Sequence, residues 1–218
     1  MESFKNFNEF FYRKLKLESR PTSSPDDPNV LVSPADCRLN CFKSITAATD
    51  LWIKGRQFSI ANLLQDQEMA KLFDGGNLGI FRLAPQDYHR FHMPVDGIVG
   101  PTKAIEGAFY TVNPMAIRSA VDVYCENVRS VTYIDSPQFG KVAYVSVGAM
   151  MVGSIVITAT KGQSLKRNDE FGYFQFGGST VLLIFQKGAV EFDRDLLDNS
   201  EQHLETLVKV GTRIGVHS

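Results

Sequence analysis

Four consecutive residues, Gly177-Gly178-Ser179-Thr180, set a bend-prone backbone beside a hydroxyl. Adjacent glycines permit backbone angles that a Cβ resists. The Ser179 oxygen follows directly on the Gly178 carbonyl. This is the chemistry a chain needs to cut itself: an accessible carbonyl and a neighbouring nucleophile. The motif lies between an aromatic run, Phe171 to Phe176, and an apolar run, Val181 to Phe185. A glycine turn ahead of a buried strand is the competing explanation, and the rest of the chain decides between them.

A serine at neutral pH needs a base before it can attack. Asp87-Tyr88-His89-Arg90-Phe91-His92-Met93-Pro94 supplies two histidines three apart. On a strand such positions point to opposite faces, so the two rings would serve different neighbours unless the backbone bends. Pro85 and Pro94 flank the segment and make a bend plausible. Either histidine alone could be a satisfied core residue. A His-x-x-His pair could also bind a metal, but no third ligand stands at a supporting spacing, so no metal is expected. Asp36, in Ser33-Pro34-Ala35-Asp36-Cys37-Arg38, is by itself a turn-shaping aspartate. Joined to a histidine and Ser179 it would complete a set in which the carboxylate orients the imidazole and the imidazole takes the serine proton.

These residues need a scaffold, and most of the chain reads as short strands. Lys141 to Val147 alternates, and Val152 to Thr160 and Val181 to Phe185 are β-branched or aromatic runs bounded by glycine. Val142 to Thr158, the longest apolar stretch, is broken by Ser146, Gly148, Gly153 and Ser154 and reads as two strands, not a membrane span. A helix is expected over Ile60 to Phe73 behind a Ser59 cap, and Thr206 to Gly211 reads as a last strand. The expected fold is α+β, mainly antiparallel sheet with few helices, with the Gly-Gly-Ser-Thr motif at a turn between strands. Residues 1–218 are read as one domain. Phe4, Phe7, Phe10, Phe11 and Leu15 recur at helical spacing beside Lys5, Arg13, Lys14 and Lys16. Such a helix can rest on a membrane surface or pack on its own domain.

Composition narrows the classes further. The 23 basic and 24 acidic residues give a net charge of -1, so no general attraction to nucleic acid is expected. Cys37, Cys41 and Cys125 make an odd set without a Cys-x-x-Cys pair, which argues against a disulfide framework or a structural zinc site. The N-terminus lacks a signal-peptide pattern, because Glu2, Lys5 and Glu9 interrupt it.

From Phe10 to about Gly215 the chain resembles the phosphatidylserine decarboxylases, pyruvoyl-dependent enzymes made as self-cleaving proenzymes. The resemblance rests on segments that occur in family order: Phe10-Phe11-Tyr12-Arg13-Lys14-Leu15 with Arg20-Pro21; Ser33-Pro34-Ala35-Asp36; Lys54-Gly55-Arg56-Gln57-Phe58-Ser59; Arg82 to Pro94; Tyr110-Thr111-Val112-Asn113-Pro114; Val147 to Ile155; and Gly177-Gly178-Ser179-Thr180. Each is modest alone, and together they are specific. Cys37 follows the aspartate where glycine is frequent, and with the Gly-Gly-Ser-Thr site it resembles the eukaryotic non-mitochondrial branch. Asn127-Val128-Arg129 stands where Asn-Glu-Arg is usual, and loss of that carboxylate would weaken local hydrogen bonding. Relatives commonly carry an upstream membrane anchor or lipid-binding module, so the chain reads as a short member, an isoform or a fragment.

The resemblance implies that His92, oriented by Asp36, activates Ser179 against Gly178. Cleavage would leave a β-chain of residues 1–178 and an α-chain of residues 179–218, with Ser179 converted to the covalent pyruvoyl group. That group would form a Schiff base with phosphatidylserine and accept electrons as carbon dioxide leaves, giving phosphatidylethanolamine. His89 would assist decarboxylation or the following proton transfer, and Gly178 would supply a strained, open backbone. The implied setting is peripheral on an intracellular membrane, an endomembrane in a eukaryote, with a homo-oligomer left open. Three rivals stand beside it: a pyruvoyl decarboxylase of a free, aromatic amino acid, a serine hydrolase that stays in one piece, and an inactive binding module.

Overall fold

A computed structural model describes residues 4–53, 58–149 and 154–218. The helices are α1 Phe7–Phe11, α2 Ile45–Leu51, α3 Ile60–Leu64, α4 Gln67–Leu72, α5 Pro114–Ile117, α6 Val123–Glu126 and α7 Arg194–Glu201. The strands are β1 Val30–Val32, β2 Cys37–Phe42, β3 Leu78–Leu83, β4 Arg90–His92, β5 Gly97–Ile105, β6 Arg129–Ser136, β7 Gly140–Gly148, β8 Ile155–Ile157, β9 Ser164–Leu165, β10 Glu170–Phe174, β11 Ser179–Phe185, β12 Val190–Phe192, β13 Thr206–Val208 and β14 Arg213–His217.

An eight-stranded sheet in the order β13-β2-β3-β11-β7-β6-β5-β9 forms the frame. Every strand pairing in it is antiparallel, as the alternating runs predict. Strand β11 lies inside it and every one of its residues is buried, which explains why Val181 to Phe185 reads as an unbroken apolar run. Two further three-stranded sheets, β1-β14-β12 and β4-β10-β8, complete the fold.

The two faces of the large sheet bury different cores. On one face Phe81, Leu83, Tyr144, Val181 and Leu183 pack with Phe91, Phe171 and Phe174 of the β4-β10-β8 sheet. On the other, Ile80, Val145, Val147, Leu182 and Ile184 pack with Ile60, Leu63 and Leu64 of α3 and Val123 of α6. Gly177 and Gly178 join β10 to β11, so the motif is the link between the small sheet and the central strand.

Several expectations change in detail. The helix expected over Ile60 to Phe73 is two helices. Ser59 caps the first as predicted, its Oγ accepting from Asn62 N at 3.0 Å. Gln65 then takes a left-handed φ of 47° and Asp66 opens a second helix by accepting from Met69 N. Helix α7 follows β12, and β14 follows the strand expected to be last, pairing with both β1 and β12. The Lys54-Gly55-Arg56-Gln57 and Met150 to Gly153 portions of the sequence motifs lie outside the described residues.

Candidate active site

Gly178 and Ser179 sit where the aromatic strand hands over to the central strand. The left-handed backbone falls on Gly177, with φ of 154°. The strain expected at Gly178 is therefore one residue earlier. A Cβ at Gly178 would stand 3.3 Å from Ala149 Cβ and 3.6 Å from Val112 Cγ2, a tight but apolar fit. Ser179 is fully buried as the first residue of β11, paired with Leu83 and Gly148. Alternation along β11 sets its side chain on the same face as Val181, Leu183 and Phe185, towards the sheet that carries His92. Its Oγ has no hydrogen-bond partner among the described residues. A buried hydroxyl left bare costs stability, and such groups concentrate where chemistry is done.

His92 ends β4, and its backbone N–H donates to Pro34 O at 2.8 Å, which brings the Pro34-Ala35-Asp36 turn alongside. Its ring is held at both nitrogens. Nδ1 lies 2.8 Å from Asn168 O, and a carbonyl can only accept, so Nδ1 carries the proton. Nε2 is then free to accept from the Tyr88 hydroxyl at 3.1 Å. Burial pushes the His92 pKa down, although the Asn168 carbonyl opposes it. Burial also pushes the Tyr88 phenol up to about 12, so it keeps its proton and remains the donor. The ring is thus set as a neutral base with its lone pair on Nε2, and the Tyr88 bond must yield before that atom can take a proton. A small cavity of about 40 Å³ opens beside it, lined by Leu15, Lys16, Arg20, Tyr88, His92 and Asn168.

His89 precedes β4 and has different surroundings. Its Nδ1 donates to Asp87 O at 2.9 Å, while Nε2 is buried without a hydrogen bond among the described residues. The Phe11 ring of α1 lies over it at a centroid distance of 3.8 Å, and Phe11 also meets Phe176, next to Gly177. Burial lowers the His89 pKa to about 4. The two histidines serve different neighbours, as strand geometry implies, and the cavity beside His92 does not include His89.

Asp36 is buried, yet its carboxylate does not hydrogen-bond to His92. Arg20 grips it with both arms, Nε to Oδ1 at 2.8 Å and Nη2 to Oδ2 at 2.5 Å. Val210 N donates to Oδ1 at 3.0 Å and Lys209 Nζ stands 3.4 Å from Oδ2. Burial alone would raise this carboxyl, but the Arg20, Val210 and Lys209 contacts together hold it below its ordinary range. In this state the orientation of His92 comes from Asn168 and Tyr88, while Asp36 adds a nearby negative charge that favours the imidazolium.

Sequence reasoning assigned no role to Asn168, Arg20 or Tyr88. Asn168 takes a left-handed φ of 71°, and its Nδ2 ties Arg20 O at 2.7 Å, linking the two halves of the pocket. An Asn-Asp pair suits a turn, but a backbone carbonyl aimed at an imidazole leaves no mark in a sequence. The N-terminal Phe residues pack on the domain: Phe11 is buried, and Asn8 Oδ1 accepts from Phe176 N at 2.9 Å. Phe7 contacts Phe176 yet remains 62% exposed, which leaves an apolar edge facing outward. The Val128 departure does not cost the hydrogen bonds of its neighbours. Asn127 makes three side-chain hydrogen bonds, and the Arg129 guanidinium donates to the carbonyls of Asn62, Leu63, Cys125 and Asn127. Among the described residues no group of His, Cys, Asp and Glu side chains could hold a metal, and no helix is long and apolar enough to cross a membrane.

Known proteins match this chain in sequence over almost its whole length. A sequence profile described as phosphatidylserine decarboxylase matches residues 7–216. The chain is 58% identical to phosphatidylserine decarboxylase proenzyme 3 of Schizosaccharomyces pombe, over 97% of this chain and 22% of that protein. It is 50% identical to phosphatidylserine decarboxylase proenzyme 2 of Saccharomyces cerevisiae, over 98% of this chain and 19% of that one. The Clostridium novyi phosphatidylserine decarboxylase proenzyme is 43% identical over 97% of this chain and 71% of its own length. The chain therefore spans about a fifth of the two fungal relatives and most of the bacterial one.

Proposed function

This chain belongs to the phosphatidylserine decarboxylase family, and on that premise we propose that residues 1–218 act as one self-processing catalytic domain that decarboxylates phosphatidylserine to phosphatidylethanolamine. The observation that carries the proposal is the bare, buried Ser179 Oγ directly after the Gly178 carbonyl, on the sheet face that packs against the strand of His92. Ser179 Oγ attacks the Gly178 carbon, and His92 Nε2, relieved of Tyr88, receives the hydroxyl proton and passes it to the departing amide nitrogen. The peptide bond becomes an ester. Loss of the Ser179 α-proton then expels Gly178 as a carboxylate, and water releases ammonia from what remains of Ser179.

The pyruvoyl group so formed supplies an electron sink for carbon dioxide loss. Ser179 fits that origin, because its hydroxyl is unengaged and a glycine precedes it. His89 offers a neutral, unengaged Nε2 for moving a proton to the product carbon. Asp36 with Arg20 sets the charge beside His92, and Lys16 with Arg20 adds positive charge to the adjoining cavity, suited to an anionic head group. The exposed Phe7 edge with Lys14 and Lys16 gives a reversible, peripheral contact with a lipid surface.

The test is denaturing electrophoresis with intact mass on the purified chain, followed by assay on phosphatidylserine vesicles. Two fragments split between Gly178 and Ser179 are expected, the smaller lighter than a serine-initiated chain by one ammonia. Ser179→Ala should remain whole and release no carbon dioxide. A folded wild-type chain that stays intact would point to a hydrolase or a binding module. Splitting with activity only on free amino acids would retain the self-processing and replace the lipid.

A further inference from the structure

The peptide unit joining Gly148 to Ala149 stands in a one-directional chain of hydrogen bonds that ends on the bond to be cut. Ala149 N–H donates to Gly178 O at 2.9 Å. The carbonyl of the same unit, Gly148 O, accepts from Asn127 Nδ2 at 2.9 Å. Asn127 is fully buried and fixed by two more bonds, Nδ2 to Tyr110 O at 2.7 Å and Tyr110 N to Oδ1 at 2.8 Å. The peptide unit just before it is held as well, because Gly148 N donates to Val128 O and Val128 N to Ala108 O, each at 2.9 Å. Only the backbone of residue 128 takes part, so valine at that position leaves the chain of bonds intact.

Resting on the self-cleavage reading above, we infer that the Gly148–Ala149 peptide is the oxyanion donor of that cleavage, and that Asn127 is the residue that positions and polarises it. As the Ser179 Oγ–Gly178 C bond forms, the carbonyl π electrons move onto Gly178 O. They return as the Gly178 C–Ser179 N bond breaks, with the serine proton carried to that nitrogen. The negative charge thus appears on the atom that Ala149 N–H already meets. The surroundings are apolar, with Ala149 Cβ and Val112 Cγ2 closest to Gly178 Cα's open side. A donor aimed in advance at developing charge in such a place strengthens as the charge grows. The Asn127 bond aligns the dipole of the donor's own peptide in the same sense, which reinforces it.

The same bonds could be ordinary rungs of the sheet, and the test separates the two. The full chain is made by cell-free translation with lactate in place of Ala149, which exchanges the donor N–H for an oxygen and changes no side chain. A second variant, Asn127→Asp, keeps the shape and the side-chain oxygen that accepts from Tyr110 N but loses both Nδ2 donors. Cleavage is timed on electrophoresis with intact mass, with and without hydroxylamine, which cuts a formed ester. The fragment ending at Gly178 is counted apart from one ending at Gly148, where hydroxylamine also cuts the lactate chain's own backbone ester, and each variant's thermal transition is recorded. Loss of the N–H should slow splitting by about 100-fold, the scale of one lost oxyanion donor, and Asn127→Asp by roughly tenfold, the scale of one modest hydrogen bond. Hydroxylamine should restore neither, because the impaired step precedes the ester. Wild-type-like splitting of the lactate chain, or rescue of either variant by hydroxylamine, would overturn the inference while leaving self-cleavage standing. An intact wild-type chain would overturn both.

Discussion

His89, buried, and His92, half-buried, stand three residues apart, are both neutral, and share no partner. His92 is fully engaged, with Asn168 on one nitrogen and Tyr88 on the other. His89 keeps Nε2 bare under the Phe11 ring. The contrast comes from position. His92 lies at the end of a strand against two loops, the Asp36 turn and the Asn168 turn, which bring polar backbone to it. His89 lies under the aromatic N-terminal helix, which brings carbon. A ring fixed at both ends suits a base that must act once in a defined direction. A ring with a free lone pair in a dry site suits repeated proton movement.

Exchanging each ring in turn is the strongest way to break this comparison. His92→Ala should stall splitting by about 10²–10⁴-fold, the usual worth of a positioned general base. Added imidazole should recover part of that rate. His89→Ala should still split into its two fragments while losing most decarboxylation. Equal splitting rates in the two variants, followed by intact mass, would show that the histidines are not divided between maturation and turnover.

The second prediction concerns the ion pair that engages the Asp36 carboxylate. Arg20→Met keeps the apolar stem and removes the guanidinium, leaving a buried carboxylate with only Val210 N–H and the exposed Lys209. Breaking a buried pair from one side costs about 3–5 kcal/mol, to be read from denaturant unfolding at pH 7. Because Asp36 is held below its ordinary range, its stabilising contribution is present above the unfolded value and fades as pH falls through the lowered one. The cost of Arg20→Met should therefore shrink in acid. A cost below about 1 kcal/mol, typical of an exposed pair, would show that Asp36 takes its hold from elsewhere.

How far this pocket could be read in advance depended on the kind of signal each part leaves. Alternation in Lys141 to Val147 and the Ser59 cap were legible because they are local, and both are where expected. The break at Gln65 was not, since a left-handed glutamine has no sequence signature. Asp36, His89, His92 and Ser179 stood out as side chains able to do chemistry, yet their companions did not. Arg20 lies 16 residues before Asp36 beyond a loop, and Lys209 and Val210 lie near the other end of the chain. Asn168 O and Ala149 N–H act through backbone atoms that every residue possesses. The reactive groups were visible as types, whereas the hydrogen bonds that direct them exist only once distant strands are paired.

The smallest effect expected is the acid sensitivity of the His89 site. Its pKa falls from 6.5 to about 4 because burial penalises the charged ring, with Arg13 nearby adding to the shift and the Asp87 carbonyl opposing it. A depressed value means that the folded state prefers the neutral ring. That preference contributes in full above the unfolded value near 6.5 and is lost as pH falls towards 4. The span amounts to about 3 kcal/mol at most, at 1.36 kcal/mol per unit. Unfolding free energy measured between pH 7 and 4 should decline accordingly, and His89→Phe, which cannot charge, should flatten that part of the decline. His92 also resists protonation and will leave a residual slope. An unchanged slope in His89→Phe would mean that the ring is hydrated in solution, and the dry, carbon-lined surroundings that distinguish it from His92 would not hold.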